Sequence, residues 1–211
     1  MDRSTQIDTF CRLTQVSRET ITSLKKYESY LIKSNETLNL IGKSTINQIW
    51  QRHFLDSSQI IDFIDKNDDL CTDIGSGSGL PGIVLAIIMK HKKSSMKFNL
   101  YEKSFYKSQF LKEVSKKLDL HTEIFQKDIF QERNLKSDLI VARAFKPLPI
   151  ILDLVNTNFK KFKSIILFLG KNRKDTLLEG LRKWQFEYKE KISLTNKESS
   201  VVKIYNLEKK T

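Results

Sequence analysis

"LCTDIGSGSGLPGIVLAIIMK", Leu70 to Lys90, places four of the chain's seven glycines (Gly75, Gly77, Gly79 and Gly82) and one of its three prolines, Pro81, within eight residues. A short buried strand, "LCTDIG", runs into a glycine-rich turn and then into the apolar helix "PGIVLAIIMK". Glycines at such a turn permit positive φ and let a ligand approach the main chain, and a proline suits the first turn of the helix that follows. The spacing of Gly75, Gly77 and Gly79 is G-x-G-x-G. In the G-x-G-x-x-G of dinucleotide folds a third glycine would stand where this chain has Leu80, and the Gly-Lys-Ser/Thr of a P-loop is missing. Asp73, just before the turn, would repel a pyrophosphate and tolerate an ammonium group.

Outward from this stretch the pattern alternates. Toward the carboxyl terminus come a strand "MKFNLYEK", a helix "YKSQFLKEVSKKLDL", strands "HTEIFQKD" and "SDLIVARAF", a helix "LPIILDLVNTNFKK", a strand "SIILFLG" and a helix "RKDTLLEGLRKW". Two last strands, "FEYKEKISL" and "SVVKIYNLE", flank the turn-rich "TNKES" and predict a hairpin that adds one antiparallel strand to an otherwise parallel sheet. Toward the amino terminus the reading is helical from Thr5 to Leu40, with Ile21, Leu24, Tyr27 and Leu31 on one face and Ser17 as a cap, and again from Ile46 to about Ile64. The expectation is an α/β domain over residues 67–211, with residues 1–66 as an N-terminal helical segment packed on it.

In open parallel sheets ligands bind at the carboxyl ends of the strands, where the strand order reverses. The glycine turn occupies the first such end. Glu102, at the end of the second strand, is placed to accept hydrogen bonds from two ribose hydroxyls. Bare backbone at Gly75, Gly77 and Gly79, with Asp73 and Glu102, suits a nucleoside that carries an amino-acid tail, S-adenosylmethionine.

Composition narrows the setting. A length of 211 residues fits one domain with a small appendage. The longest apolar run, Ile83 to Met89, is far short of the roughly 20 residues of a membrane span, and "MDRSTQIDTF" lacks a signal-peptide core. A cytoplasmic protein with no membrane contact is expected. Cys11 and Cys71 lie in apolar patterns without CxxC spacing and read as buried thiols, giving no support to a metal site. The net charge of +12 attracts polyanions, although 29 of the 37 basic residues are lysine, a bias that composition alone can produce.

Several stretches together carry a closer likeness. "NLI" at Asn39, "RHFLDS" from Arg52 to Ser57, "DIGSGSGLPGIVLAI", "YEKSFYKSQFLKEV", "ARAFKPL" and "FLGK" follow in the order seen in the bacterial RsmG (GidB) family of small-subunit ribosomal RNA guanine-N7 methyltransferases, and the chain resembles that family over nearly its whole length. The resemblance implies a class I S-adenosylmethionine-dependent methyltransferase fold, Rossmann-like, with about seven mostly parallel strands and helices on both faces. It implies a guanine in the 530 loop of 16S rRNA as target, with free 16S rRNA or the small ribosomal subunit as partner, and a monomer is expected. Carried over by position, the family's cofactor contacts fall on Gly75, Leu80, Ile129, Phe130 and Arg143. The chain departs from the family in "QKDIFQE", where Arg-Ala-Glu is usual, in "ARAF", where Ser-Arg-Ala is usual, and in "FLG", where Leu-Lys-Gly is common. The cofactor loop by itself leaves the acceptor open between this RNA, another RNA, a protein and a small molecule.

Guanine N7 has an in-plane lone pair and no proton to lose, so its methylation calls for alignment and a suitable field rather than a general base. His53, Asp56 and Lys146 are the candidates for the substrate pocket. His53 and Asp56, three apart on a helix, either form a local pair or line the guanine site. Arg143 suits the cofactor's carboxylate or an RNA phosphate, and Lys146 a phosphate. Phe54, Phe105 and Phe145 divide between core packing and stacking on a flipped base, with at least two of them expected in the core.

Overall fold

The computed structural model describes residues 1–210. Its centre is a seven-stranded sheet: β1 (Leu70–Ile74), β2 (Lys97–Tyr101), β3 (Thr122–Phe125), β4 (Leu139–Ala142), β5 (Ser164–Leu169), β6 (Trp184–Ile192) and β7 (Ser200–Lys209). In space the order is β3-β2-β1-β4-β5-β7-β6. The first five run parallel, and β7 lies antiparallel to both β5 and β6. The hairpin expected from the sequence is therefore folded back on itself, its second strand inserted between β5 and β6. A two-strand parallel pair, Leu135–Lys136 with Phe159–Lys161, was not legible in the sequence. Its strands are two and three residues long, too short to show an alternation, and the second continues the helical pattern of "LPIILDLVNTNFKK".

Four helices follow the strands: α3 (Gly82–His91), α4 (Phe105–Lys117), α5 (Leu148–Asn158) and α6 (Arg173–Lys183). Before them come α1 (Arg3–Thr14), capped by Asp2, and α2 (Arg18–Leu38), whose Ser17 cap accepts from the Thr20 N–H as expected. α2 stops where Asn39 turns left-handed, at φ 46°. Alternation along the strands divides the interior in two. Leu139 and Val141 pack with α1 to α4 on one face, and Ile140 and Ala142 pack with α5, α6 and Trp184 on the other. Phe10, Tyr27, Trp50 and Phe54 of the N-terminal segment belong to the same apolar cluster as Val84 and Ile88 of α3.

The stretch expected as a helix over Ile46–Ile64 is a succession of shorter turns: 3-10 over Lys43–Gln48, π over Trp50–Leu55, α over Asp56–Ser58 and 3-10 over Gln59–Phe63. The reason lies in the spacing of its apolar residues. Ile49 and Phe54, Trp50 and Leu55, and Leu55 and Ile60 are each five apart, and all five residues are buried. Five-residue spacing drifts off one face of an α-helix, and a wide π turn restores it. Cys71 is buried as expected, but Cys11 is only partly so. Among the described residues no helix is long and apolar enough to cross a membrane.

Candidate active site

Because β1 lies between β2 and β4, the connections from β1 and from β4 leave to opposite sides, and a crevice opens above their carboxyl ends. A cleft of about 750 Å³ occupies this place. Its floor is the glycine turn, where Gly75, Gly77 and Gly79 have φ of 73°, 56° and 90°. Each glycine answers a different need. A Cβ on Gly75 would collide with the Phe145 ring, and one on Gly79 would meet Leu111 at 2.9 Å, so these two are set by packing. A Cβ on Gly77 would meet only the Gly75 carbonyl, at 3.9 Å, and would otherwise stand in the cleft. Gly77 is where the main chain lies open to a ligand.

Glu102 accepts from the Gly77 N–H through Oε2 (2.9 Å) and from the Ser104 N–H through Oε1 (2.7 Å). A carboxylate has about four lone-pair sites, so two remain unfilled. After β3, Ile129 is buried and Phe130 stacks on Phe145 with ring centroids 5.9 Å apart, forming an apolar wall beside the glycine turn. Asp128, which no motif in the sequence marks, also lines this cleft and caps its short turn by accepting from the Phe130 N–H at 3.1 Å. The α2 residue Tyr27 supports the floor from below by donating to the Ser78 carbonyl.

Asp73 does not meet the ammonium role expected of it. It is buried beneath the turn, and its Oδ2 accepts from the Gly82 N–H at 2.9 Å, tying the end of β1 to the start of α3. Burial pushes its pKa up to about 7, with the Gly82 N–H as the main opposing influence. The folded value lies above the unfolded one, so this group's stabilising contribution is complete below about pH 4 and is lost as pH rises to about 7. Asp73→Asn should remove that dependence: the stability difference between the variant and wild type, from denaturant unfolding, should shift in the variant's favour between pH 4 and 7. A constant difference would refute the assignment.

Of the other residues singled out from sequence, His53, Leu80, Arg143 and Lys146 line the same cleft, whereas Asp56 lies outside it in an adjoining hollow. His53 and Asp56 do not pair with each other; Arg143 joins them. Its Nε donates to Asp56 Oδ2 (2.9 Å), its Nη1 approaches His53 Nδ1 (3.4 Å) and its Nη2 donates to the Arg52 carbonyl (2.7 Å). Asp56 Oδ1 accepts in turn from Gln59 (2.9 Å) and Thr195 (2.8 Å), so one carboxylate joins the π turn, the end of β4 and the β6–β7 loop. Arginine only donates, so His53 Nδ1 is an acceptor and Nε2 carries the proton, given to Thr45 Oγ1 at 2.8 Å. Burial, then the charges of Arg143 and Arg52, push the His53 pKa down to about 4. Phe54 is wholly in the core, Phe145 half-buried and Phe105 exposed.

The strand order, with a glycine turn at the end of β1 and an acid just after β2, is that of a class I S-adenosylmethionine-dependent methyltransferase. A solved methyltransferase of that kind from Aquifex aeolicus shares the fold with a TM-score of 0.56, covering 84% of this chain and 97% of its own at 11% identity. Sequence similarity decides the branch. The family model for rRNA small subunit methyltransferase G matches residues 20–205. The chain is 47% identical over 197 residues to the ribosomal RNA small subunit methyltransferase G of Pelagibacter ubique, covering 92% of each, and 33% identical over 195 residues to that of Rickettsia africae, covering 92% and 98%. The chain belongs to the rRNA small subunit methyltransferase G family.

Proposed function

We propose that this chain, a cytoplasmic monomer in which residues 1–66 pack as a helical segment on the methyltransferase domain, places a methyl group on N7 of a guanine in the 530 loop of 16S rRNA. Beside family membership, the observation that supports this acceptor is the state of His53. With Nδ1 facing Arg143, Nε2 on Thr45 and a pKa near 4, it is neutral at neutral pH and has no free nitrogen to take a proton. An acceptor that arrives with a lone pair and no proton fits such a site.

Bound S-adenosylmethionine supplies an electrophilic methyl group on a sulfonium centre, and the chain supplies position and field. Gly75 and Gly77, whose N–H groups are held by the Tyr101 carbonyl and by Glu102, would present bare Cα atoms and carbonyls to its amino-acid end, and Glu102 would accept from the ribose. Leu80, Ile129 and Phe130 give apolar contact to the base, and Gly79 keeps the turn seated on α3 and α4. Arg143 and Lys146 stand at the end of β4, where the acceptor enters, with Arg143 held in place by Asp56. The guanidinium, partly neutralised by Asp56, sets the direction of an RNA phosphate or the cofactor carboxylate, and exposed Lys146 attracts a phosphate.

The test is to incubate small subunits from cells lacking this protein with the purified chain and methyl-labelled cofactor, then map N7-methylguanine by chemical strand scission. Label at one guanine of the 530 loop is expected, with a single-turnover rate that shows no general-base titration between pH 6 and 9. Label on a ribose hydroxyl or on another base would overturn the reading.

A further inference from the structure

The first turn of α4 carries two adjacent aromatic residues that the fold does not use. Phe105 is 54% exposed and Tyr106 69% exposed, and neither belongs to either apolar cluster or packs against one. The helix anchors itself by Phe110, Leu111 and Val114 instead. The two rings meet edge to face, with centroids 5.5 Å apart and planes 78° apart, so each holds the other's orientation while outer faces stay open. The turn follows β2 by three residues and is capped by Ser104, whose own N–H is held by Glu102. Neither ring lines the cleft itself, but the residues on either side of them along the chain do, and Glu102 ties the start of the turn to it.

Charge indicates what it meets. Lys103 and Lys107 bracket the two rings in sequence, both line the cleft, and neither has an ion-pair partner among the described residues. Exposed aromatic faces between unpaired cations, on a chain of net charge +12, form the combination that takes unpaired nucleotides: rings stack on bases while cations follow the phosphates. A duplex hides its base faces and gains only from the cations.

We propose that Phe105 and Tyr106, flanked by Lys103 and Lys107, form a stacking platform that holds unpaired bases of the RNA substrate beside the cleft and so gives the enzyme its preference for single-stranded RNA. This rests on RNA being the substrate, and adds a contact surface to the site already described.

The experiment measures binding of the full-length protein to a mixed-sequence 12-nucleotide RNA, single-stranded or paired with its complement, over a range of salt concentrations. Wild type should favour the single strand. Phe105→Ala/Tyr106→Ala should bind the single strand about tenfold or more weakly, as loss of one stacked base implies. Its duplex affinity, cofactor affinity and salt slope should be unchanged. Phe105→Trp, built with native Tyr106, should keep the preference. Lys103→Ala/Lys107→Ala should instead weaken both RNA forms and flatten the salt slope by one to two, on the order expected for two phosphate contacts. Wild-type affinity in the aromatic double variant, or an equal loss for single strand and duplex, would overturn the platform. Failure of wild type to bind either RNA would overturn the RNA reading itself.

Discussion

Gly77→Val is expected to abolish S-adenosylmethionine binding while leaving the protein folded. Gly77 has φ of 56°, which a β-branched residue adopts only at a cost, and its N–H is held by Glu102. The space its side chain would fill is the cleft itself, since only the Gly75 carbonyl lies within 4 Å. The new methyl groups thus exclude the ligand without disturbing the core. Calorimetric titration should show no binding, with a melting temperature within a few degrees of wild type. Gly75→Val makes the contrast, because its side chain collides with Phe145 and should lower stability as well. Unaltered cofactor affinity in Gly77→Val would refute the assignment of the turn.

The second large effect concerns the carboxylate behind Arg143. Asp56→Ala leaves the guanidinium, the Gln59 amide and the Thr195 hydroxyl without their shared acceptor, in a place where the Asp56 and Arg143 side chains are 16% and 19% exposed. Removing one partner of such a pair costs about 3 kcal/mol. For a domain of this size that corresponds to a fall of roughly 6–12 °C in melting temperature. Arg143→Ala should destabilise less, because Asp56 keeps Gln59 and Thr195 as donors, yet it should weaken cofactor binding through loss of the cation at the cleft. Single-turnover rates should fall in both, since the end of β4, the π turn and the β6–β7 loop are joined through this one pair. Equal melting temperatures for Asp56→Ala and wild type would mean that the three elements are held by packing alone.

These two sites differ in how far they could be read in advance. The glycine turn was legible because everything it needs lies close along the chain: three glycines within five residues, a proline after them and the strand and helix they connect. The alternation of strands and helices was legible for the same reason, as each element buries one face and records it as a local period of two or 3.6. Glu102 could be placed because β2 is the next strand and its end must lie beside that of β1.

What only the tertiary structure decided are the choices made between distant residues. Asp73 reads in sequence as a ligand group, but Gly82 folds back over it and uses its carboxylate, and burial then sets its pKa. His53 and Asp56 read in sequence as either a local pair or a lining of the guanine site, but the partner of both is Arg143, 87 residues beyond Asp56, and Thr195, 139 residues beyond, completes the set. The π turn at Trp50–Leu55 seats Trp50 against Phe10 of α1 and Phe54 against Tyr27 of α2, a match that helix propensity does not record. Local periodicity, glycine conformation and the order of elements are properties of short stretches of chain, so the sequence by itself determined the fold class, the glycine turn and the family. Hydrogen-bond partners and buried charges depend on which distant surfaces meet, and only the folded chain decides which polar groups are used up inside and which still face the cleft.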